Sequence, residues 1–180
     1  MPEIEIRHID EEDVPALVAI DHNYMTDFVW QMEVQPFEEG QVRIRFREVR
    51  LPRSVRVEYP RSPQDLVADW QDRDCVLAAL LGGEVVGYIS LSLQLAPLTA
   101  WVTDLVVRRR VRRQGIASAL LLAAQEWGLE HNARNLVVEM QPKNYAAIRM
   151  VQKLGFDLCG YNDRYYANHD ICLFFAKTLR

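Results

Sequence analysis

Between Trp101 and Leu122 the chain reads WVTDLVVRRRVRRQGIASALLL, and no other stretch limits its possible folds so tightly. An apolar run ends at Val107, five arginines fall within Arg108–Arg113, and Gly115 opens a run of small and apolar residues at helical spacing. A strand that feeds a helix through such a loop aims the unpaired N–H groups of the helix start, with their partial positive charge, at an anion. Gly115 lets the backbone approach that anion with no Cβ in the way, and Ala117 and Ser118 keep the first turn thin. No Lys-Ser/Thr pair follows Gly115 and the spacing is not GxGxxG, so this is neither a Walker loop nor a dinucleotide fingerprint. By physics alone it is a phosphate or pyrophosphate site.

The flanking sequence predicts a mixed α+β order. Glu3–Ile9 alternates as a first strand. Asp10-Glu11-Glu12-Asp13 has the acids and capping pattern of a helix start, with a helix expected to about Ile20. Tyr24–Met32 is expected as a second helical piece. Val42, Ile44 and Phe46 alternate with Arg43, Arg45 and Arg47 as a half-buried strand, which Ser54–Tyr59 continues. Ser62-Pro63 opens a short helix to about Trp70. Cys75–Leu81 and Glu84–Leu95, joined by Gly82-Gly83, form a hairpin. Ala100–Val107 is a strand, Ile116–Glu130 a helix and Leu136–Met140 a strand. Asn144 caps a helix that Gly155 stops, and Asp170–Leu179 closes the chain as a strand.

Three of these segments, taken in order, resemble the GNAT superfamily of acetyl-CoA-dependent N-acetyltransferases. Arg112-Arg113-Gln114-Gly115-Ile116-Ala117 fits the family's Q/R-x-x-G-x-G/A motif. Asp104-Leu105-Val106-Val107 resembles its pantetheine-carrying strand, and NYAAIRMVQKLGF (Asn144–Phe156) its second signature helix. The resemblance is sharpest over 84–156. The closing segment from Arg164 to Phe175 is similar to either the streptothricin or the ribosomal-protein acetyltransferase group. The long 33–74 insertion tips the balance toward the former.

The resemblance implies one domain over residues 1–180, with a mixed, mostly antiparallel sheet flanked by helices. It implies acetyl-CoA as co-substrate, held by Leu105, Val106, Val107, Arg112, Arg113, Gln114, Gly115, Ile116, Ala117, Ser118 and Asn144. It also implies direct attack of an amine on the thioester, a backbone N–H at the end of the Leu105–Val107 strand as oxyanion hole, and a base acting through water. Asp104 and Glu139 are the candidate bases. The family's proton-donating tyrosine falls on Val151, which cannot donate, so Tyr161 or Tyr165 is expected to substitute.

Charge points to the kind of acceptor, though not to its identity. Residues 1–100 carry nine Arg and no Lys against 18 acids, whereas residues 101–180 carry nine Arg and three Lys against seven. The opposed fields suit a small cationic amine meeting the acidic half while an anionic co-substrate meets the basic half. Asp27 and Glu33 are candidates for attracting it, with a solvated face as the alternative. A protein N-terminal or lysine acetyltransferase and a non-catalytic acyl-CoA sensor remain as alternatives, the latter favoured by Val151. With a net charge of −4 and one basic cluster, no nucleic-acid partner is expected. Three scattered cysteines and four scattered histidines argue against a zinc site and against a disulfide framework, and surface or capping roles are expected for His8, His22, His131 and His169. The start lacks a secretory pattern and the uncharged run from 85 to 103 alternates, so a cytoplasmic chain with no membrane partner is expected, with homodimerisation open.

Overall fold

A computed structural model describes residues 3–180. Its strands are β1 (Ile4–His8), β2 (Tyr24–Glu38), β3 (Gln41–Val57), β4 (Cys75–Leu81), β5 (Glu84–Ser92), β6 (Thr99–Val107), β7 (Asn135–Met140), β8 (Asp157–Asn162) and β9 (Cys172–Thr178). The helices are α1 (Val14–Val18), α2 (Pro63–Asp69), α3 (Ile116–Glu130) and α4 (Tyr145–Lys153). Seven strands form one sheet in the order β1-β4-β5-β6-β7-β9-β8, while β2 and β3 pair only with each other. Every pairing in the large sheet is antiparallel except β6 with β7, whose connection is α3.

Two apolar layers sandwich that sheet. Leu120, Leu121, Ala124 and Trp127 of α3 and Ile148 and Val151 of α4 bury against Ile89, Val102, Leu136 and Val138. On the other side, Leu17 of α1 and Leu66 of α2 pack on Val76, Ala78, Tyr88 and Val106. Gly87 has no alternative: a Cβ there would lie 2.6 Å from the Val106 carbonyl oxygen, closer than packed atoms approach.

Three expectations are corrected. Tyr24–Met32 is strand, not helix, because its aromatic and β-branched residues find a complete partner in β3, from Tyr24↔Val57 to Val34↔Ile44. The β2–β3 ribbon lies against the start of α4, where Phe28 stacks on Tyr145 at 4.6 Å and the Trp30 N–H donates to the Pro142 carbonyl at 3.0 Å. His22 is buried rather than at the surface; one ring nitrogen bonds the Ile20 carbonyl at 2.6 Å and the other the Tyr88 hydroxyl at 3.0 Å. The helix after Asp10 is a 3₁₀ turn (Glu11–Asp13) running into a five-residue α1, although the capping box is present as expected. The edge strand β8 had no predicted counterpart.

No helix among the described residues is long and apolar enough to cross a membrane.

Candidate active site

The parallel pairing of β6 with β7 runs from Thr99↔Asn135 to Val102↔Val138 and then stops. Beyond it the two strands carry Asp104–Val107 and Glu139–Met140 without pairing to each other, which leaves an opening in the middle of the sheet. The Arg108 N–H donates to the Val86 carbonyl at 2.7 Å, so strand alternation turns the Val106 N–H toward β5 and those of Leu105 and Val107 toward the opening.

The loop after β6 is braced from inside. Arg112 donates from Nε to the Val107 carbonyl at 2.7 Å and from Nη2 to the carbonyls of Asp21 and Asn23 at 3.3 Å. Its guanidinium therefore ties the strand end to the segment before β2. Arg108 likewise pairs with Glu84 and donates to the Val85 carbonyl at 2.8 Å. Arg113, Gln114 and Gly115 are exposed, with Arg113 at φ +65° and Gly115 at φ +85°. Gly115 caps α3 without any side-chain hydrogen bond. A Cβ on Gly115 would meet nothing within 4 Å, so the space over the helix start is open. Unpaired N–H groups, exposed arginines and open space together fit a pyrophosphate. Asn144 caps α4 by accepting the Ala147 N–H at 3.4 Å.

On the α2 side of the opening, each strand contributes a buried carboxylate paired with an arginine from either end of the α2 segment. Asp104 accepts from the Tyr59 hydroxyl at 2.7 Å and from Arg73 Nη1 at 2.9 Å. Arg73 is itself fixed by Asp69 at 2.7 Å and the Ser90 hydroxyl at 3.0 Å. Burial, followed by the Asp104 charge, pushes the Tyr59 hydroxyl far above its ordinary range, so it stays a donor. Glu139 is enclosed: Oε2 accepts from Trp101 Nε1 at 2.8 Å and the Tyr165 hydroxyl at 2.5 Å, and Oε1 accepts from Arg61. Burial and then the bond to Glu139 push the Tyr165 hydroxyl up as well.

A cavity of about 300 Å³ opens beside Asp104 and is lined by Asp65, Asp69, Asp72, Asp74 and Asp104 against Arg61 and Arg73, with Glu139 behind Arg61 and outside the lining. The sequence reading missed this lining. Asp65, Asp69 and Asp72 recur at i, i+4 and i+7, the spacing of a single helix face, and that was the available signal. Asp27 and Glu33, singled out instead, lie on the ribbon, bonded to Ser54 and to Arg45 respectively.

The structure thus brings Asp104, Glu139 and Tyr165 to one face of the sheet. It does not bring Tyr161 there: that residue sits on the edge strand β8, its ring against Phe46, among the residues packed on the α3–α4 layer. Val151 is fully buried in the same layer.

The sequence model of the Acetyltransferase (GNAT) family matches residues 42–156. The chain belongs to the GNAT family. It is an acetyl-CoA-dependent N-acetyltransferase. An N-alpha-acetyltransferase of Saccharolobus solfataricus is 30% identical over 112 residues, which span 56% of this chain and 67% of that protein. Two solved structures share the GNAT fold nearly end to end. Nourseothricin acetyltransferase superposes with a TM-score of 0.81 at 22% identity, covering 98% of this chain and 99% of the other. A Bacillus anthracis protein described as a streptothricin acetyltransferase, in complex with acetyl coenzyme A, gives 0.77 at 20% identity over 98% and 99%. Among the described residues, no group of three or more His, Cys, Asp or Glu side chains is placed to hold a metal ion.

Proposed function

We propose that this GNAT enzyme acetylates a primary amine of a small cationic molecule that enters from the α2 face. The observation that carries the reading is the cavity beside the opening, where five aspartates stand against two arginines and both arginines are already engaged by carboxylates. Such a lining holds a surplus of negative charge, which concentrates cations and repels anionic acceptors.

In this reading the N–H groups at the start of α3, with Arg113, Gln114, Ile116, Ala117 and Ser118 around Gly115, receive the pyrophosphate of acetyl-CoA. Arg112 acts by bracing the loop, and Asn144 by fixing the start of α4. The Leu105 and Val107 N–H groups face the thioester and polarise its carbonyl. An alkylammonium with a pKa of ~10.4 must lose a proton before its nitrogen can attack. Glu139 takes that proton. The nitrogen then bonds the acetyl carbon, the C–S bond breaks, and the second N–H proton passes to water or to the departing thiolate. Asp104, locked by Arg73 and Tyr59, contributes charge to the cavity rather than proton transfer. Tyr165 keeps its proton on Glu139 and orients it, and a thiolate with a pKa near ~8.5 departs without a tyrosine acid.

A second reading, transfer to a free α-amino group of a polypeptide, is favoured by the 30% identity to an N-alpha-acetyltransferase. The test is CoA release from acetyl-CoA with polyamines, basic amino acids, amino sugars and short peptides in parallel. The cationic small amines should support turnover that declines as salt rises. Turnover only with neutral amines would end the proposal.

A further inference from the structure

The two arginines that cover the carboxylates are held very differently. Arg73 has a side chain 16% exposed and is gripped by Asp69, Ser90 and Asp104. The Arg61 side chain is 34% exposed, rises from the loop between β3 and α2, and among the described residues bonds only Glu139. Its guanidinium carbon also lies 5.9 Å from the ring centroids of both Tyr165 and Tyr166, within cation–π range.

Glu139 divides its two oxygens in a matching way. Oε2 is fixed by Trp101 and Tyr165, neutral donors that come from β6 and the β8–β9 connection. Oε1 has Arg61 alone among the described residues. The Glu139 side chain is 0% exposed, and a buried carboxylate stripped of its cation is strongly disfavoured. Oε1 is thus the side of the carboxylate open to a cation, while the neutral donors on Oε2 hold the group in place whichever cation occupies it.

We infer that Arg61 is a placeholder cation: its guanidinium occupies the seat of the acceptor's ammonium on Glu139 Oε1, between the carboxylate and the faces of Tyr165 and Tyr166, and it yields that seat by exchange when the acceptor binds. Exchange of one cation for another avoids the bare buried charge that simple opening would create. It also makes Arg61 a specificity-determining residue, because an acceptor must compete with a guanidinium to reach the reaction centre. A neutral amine has no charge to offer in return. This inference rests on reading the α2 face as the acceptor side.

The test uses methylguanidinium chloride, which copies the Arg61 head group, with thermal unfolding as the readout. Arg61→Ala leaves the seat vacant, and Arg61→Gln leaves a single neutral donor near Oε1 and serves as a second chain of milder disruption. Methylguanidinium at tenfold its Kd for each chain should raise the Tm of both by about 3–6 °C, with a higher Kd for Arg61→Gln. The native protein, whose seat is filled, should not respond, and neither should Arg61→Ala combined with Glu139→Gln. Absence of a rise in both single variants, or an equal rise in the native protein or the double variant, overturns the inference. Methylguanidinium is not turned over here, so the seat can be found even if no cationic amine proves to be acetylated. The two readings therefore fail separately. Given an acceptor, Arg61→Ala should lower its KM several-fold, whereas a raised KM would show that Arg61 assists binding and would equally overturn the placeholder.

Discussion

Trp101 and Glu139 stand on the two strands that part at the centre of the sheet, and the indole N–H of one donates to the carboxylate of the other at 2.8 Å. That bond spans β6 and β7 at the end of their pairing: Trp101 is still in register, opposite Val137, and Glu139 lies one residue past the last matched pair, Val102↔Val138. It fixes the candidate base relative to the strand whose Leu105 and Val107 N–H groups face the opening, so the proposed base and the proposed oxyanion donors share one frame.

The pH–rate profile should distinguish the two carboxylates. Glu139→Gln is expected to lower kcat/KM at pH 7 by ~10²–10⁴-fold and to regain part of the loss toward pH 10, where the amine has already lost its proton. Asp104→Asn should weaken acceptor capture while keeping the shape of the parent profile. If the profile moves with Asp104 and not with Glu139, the roles are reversed.

Gly115→Val should abolish acetyl-CoA binding measured by calorimetry, because it fills the open space over the α3 N-terminus and forces a β-branched residue to φ +85°. The positive φ strains any L side chain and should lower stability, but with no neighbour within 4 Å the added Cβ meets no clash, and circular dichroism should still report a folded chain. Retained affinity in a folded variant would remove the pyrophosphate from this loop.

Much of the fold is legible in the amino-acid sequence. The α3 junction declared itself because a strand, a basic loop and a glycine-led helix each leave a local signature. The Gly82-Gly83 hairpin and the Asn144 cap did so for the same reason. Tyr24–Met32 misled because Val29 and Met32 mimic helical spacing, and its true partner, β3, begins nine residues further along the chain at Gln41. β8 was invisible because an exposed edge strand reading DLCGYN has no clean alternation. The pairing of Arg61 with Glu139 spans 78 residues, and only the folded sheet brings the two together.

Stability should fall on mild acidification through His22. Burial lowers its pKa against the smaller opposing pull of the Ile20 carbonyl and of Asp104 and Asp21. The unfolded chain therefore binds a proton more readily than the folded one below about pH 6.5, and stability rises with pH through that window. The native Tm should drop between pH 6.5 and 5, and His22→Gln should flatten that drop while lowering Tm at pH 7.5. An equal pH slope in both chains would show that His22 is not the titrating group.

Thiol chemistry offers a check on the packing. Cys75 and Cys172 are buried, and burial pushes both thiols up to about 12, whereas Cys159 is exposed on β8. Iodoacetamide at pH 8 should therefore label Cys159 in the native protein, with all three cysteines labelled only after denaturation. Peptide mapping that finds Cys172 modified in the native state would contradict the enclosed Tyr166–Cys172 contact beside the site.

In the proposed reaction, acetyl groups pass from acetyl-CoA to a small cationic amine rather than to a polypeptide end. The most direct measurement is a one-pot competition. The purified protein receives acetyl-CoA with equimolar amounts of the best small cationic amine and a short peptide bearing a free α-amino group, and mass spectrometry counts the acetylated products. Acetylated small amine in clear excess, shrinking as salt is added, is the predicted result; acetylation confined to the peptide's α-amino group would contradict it.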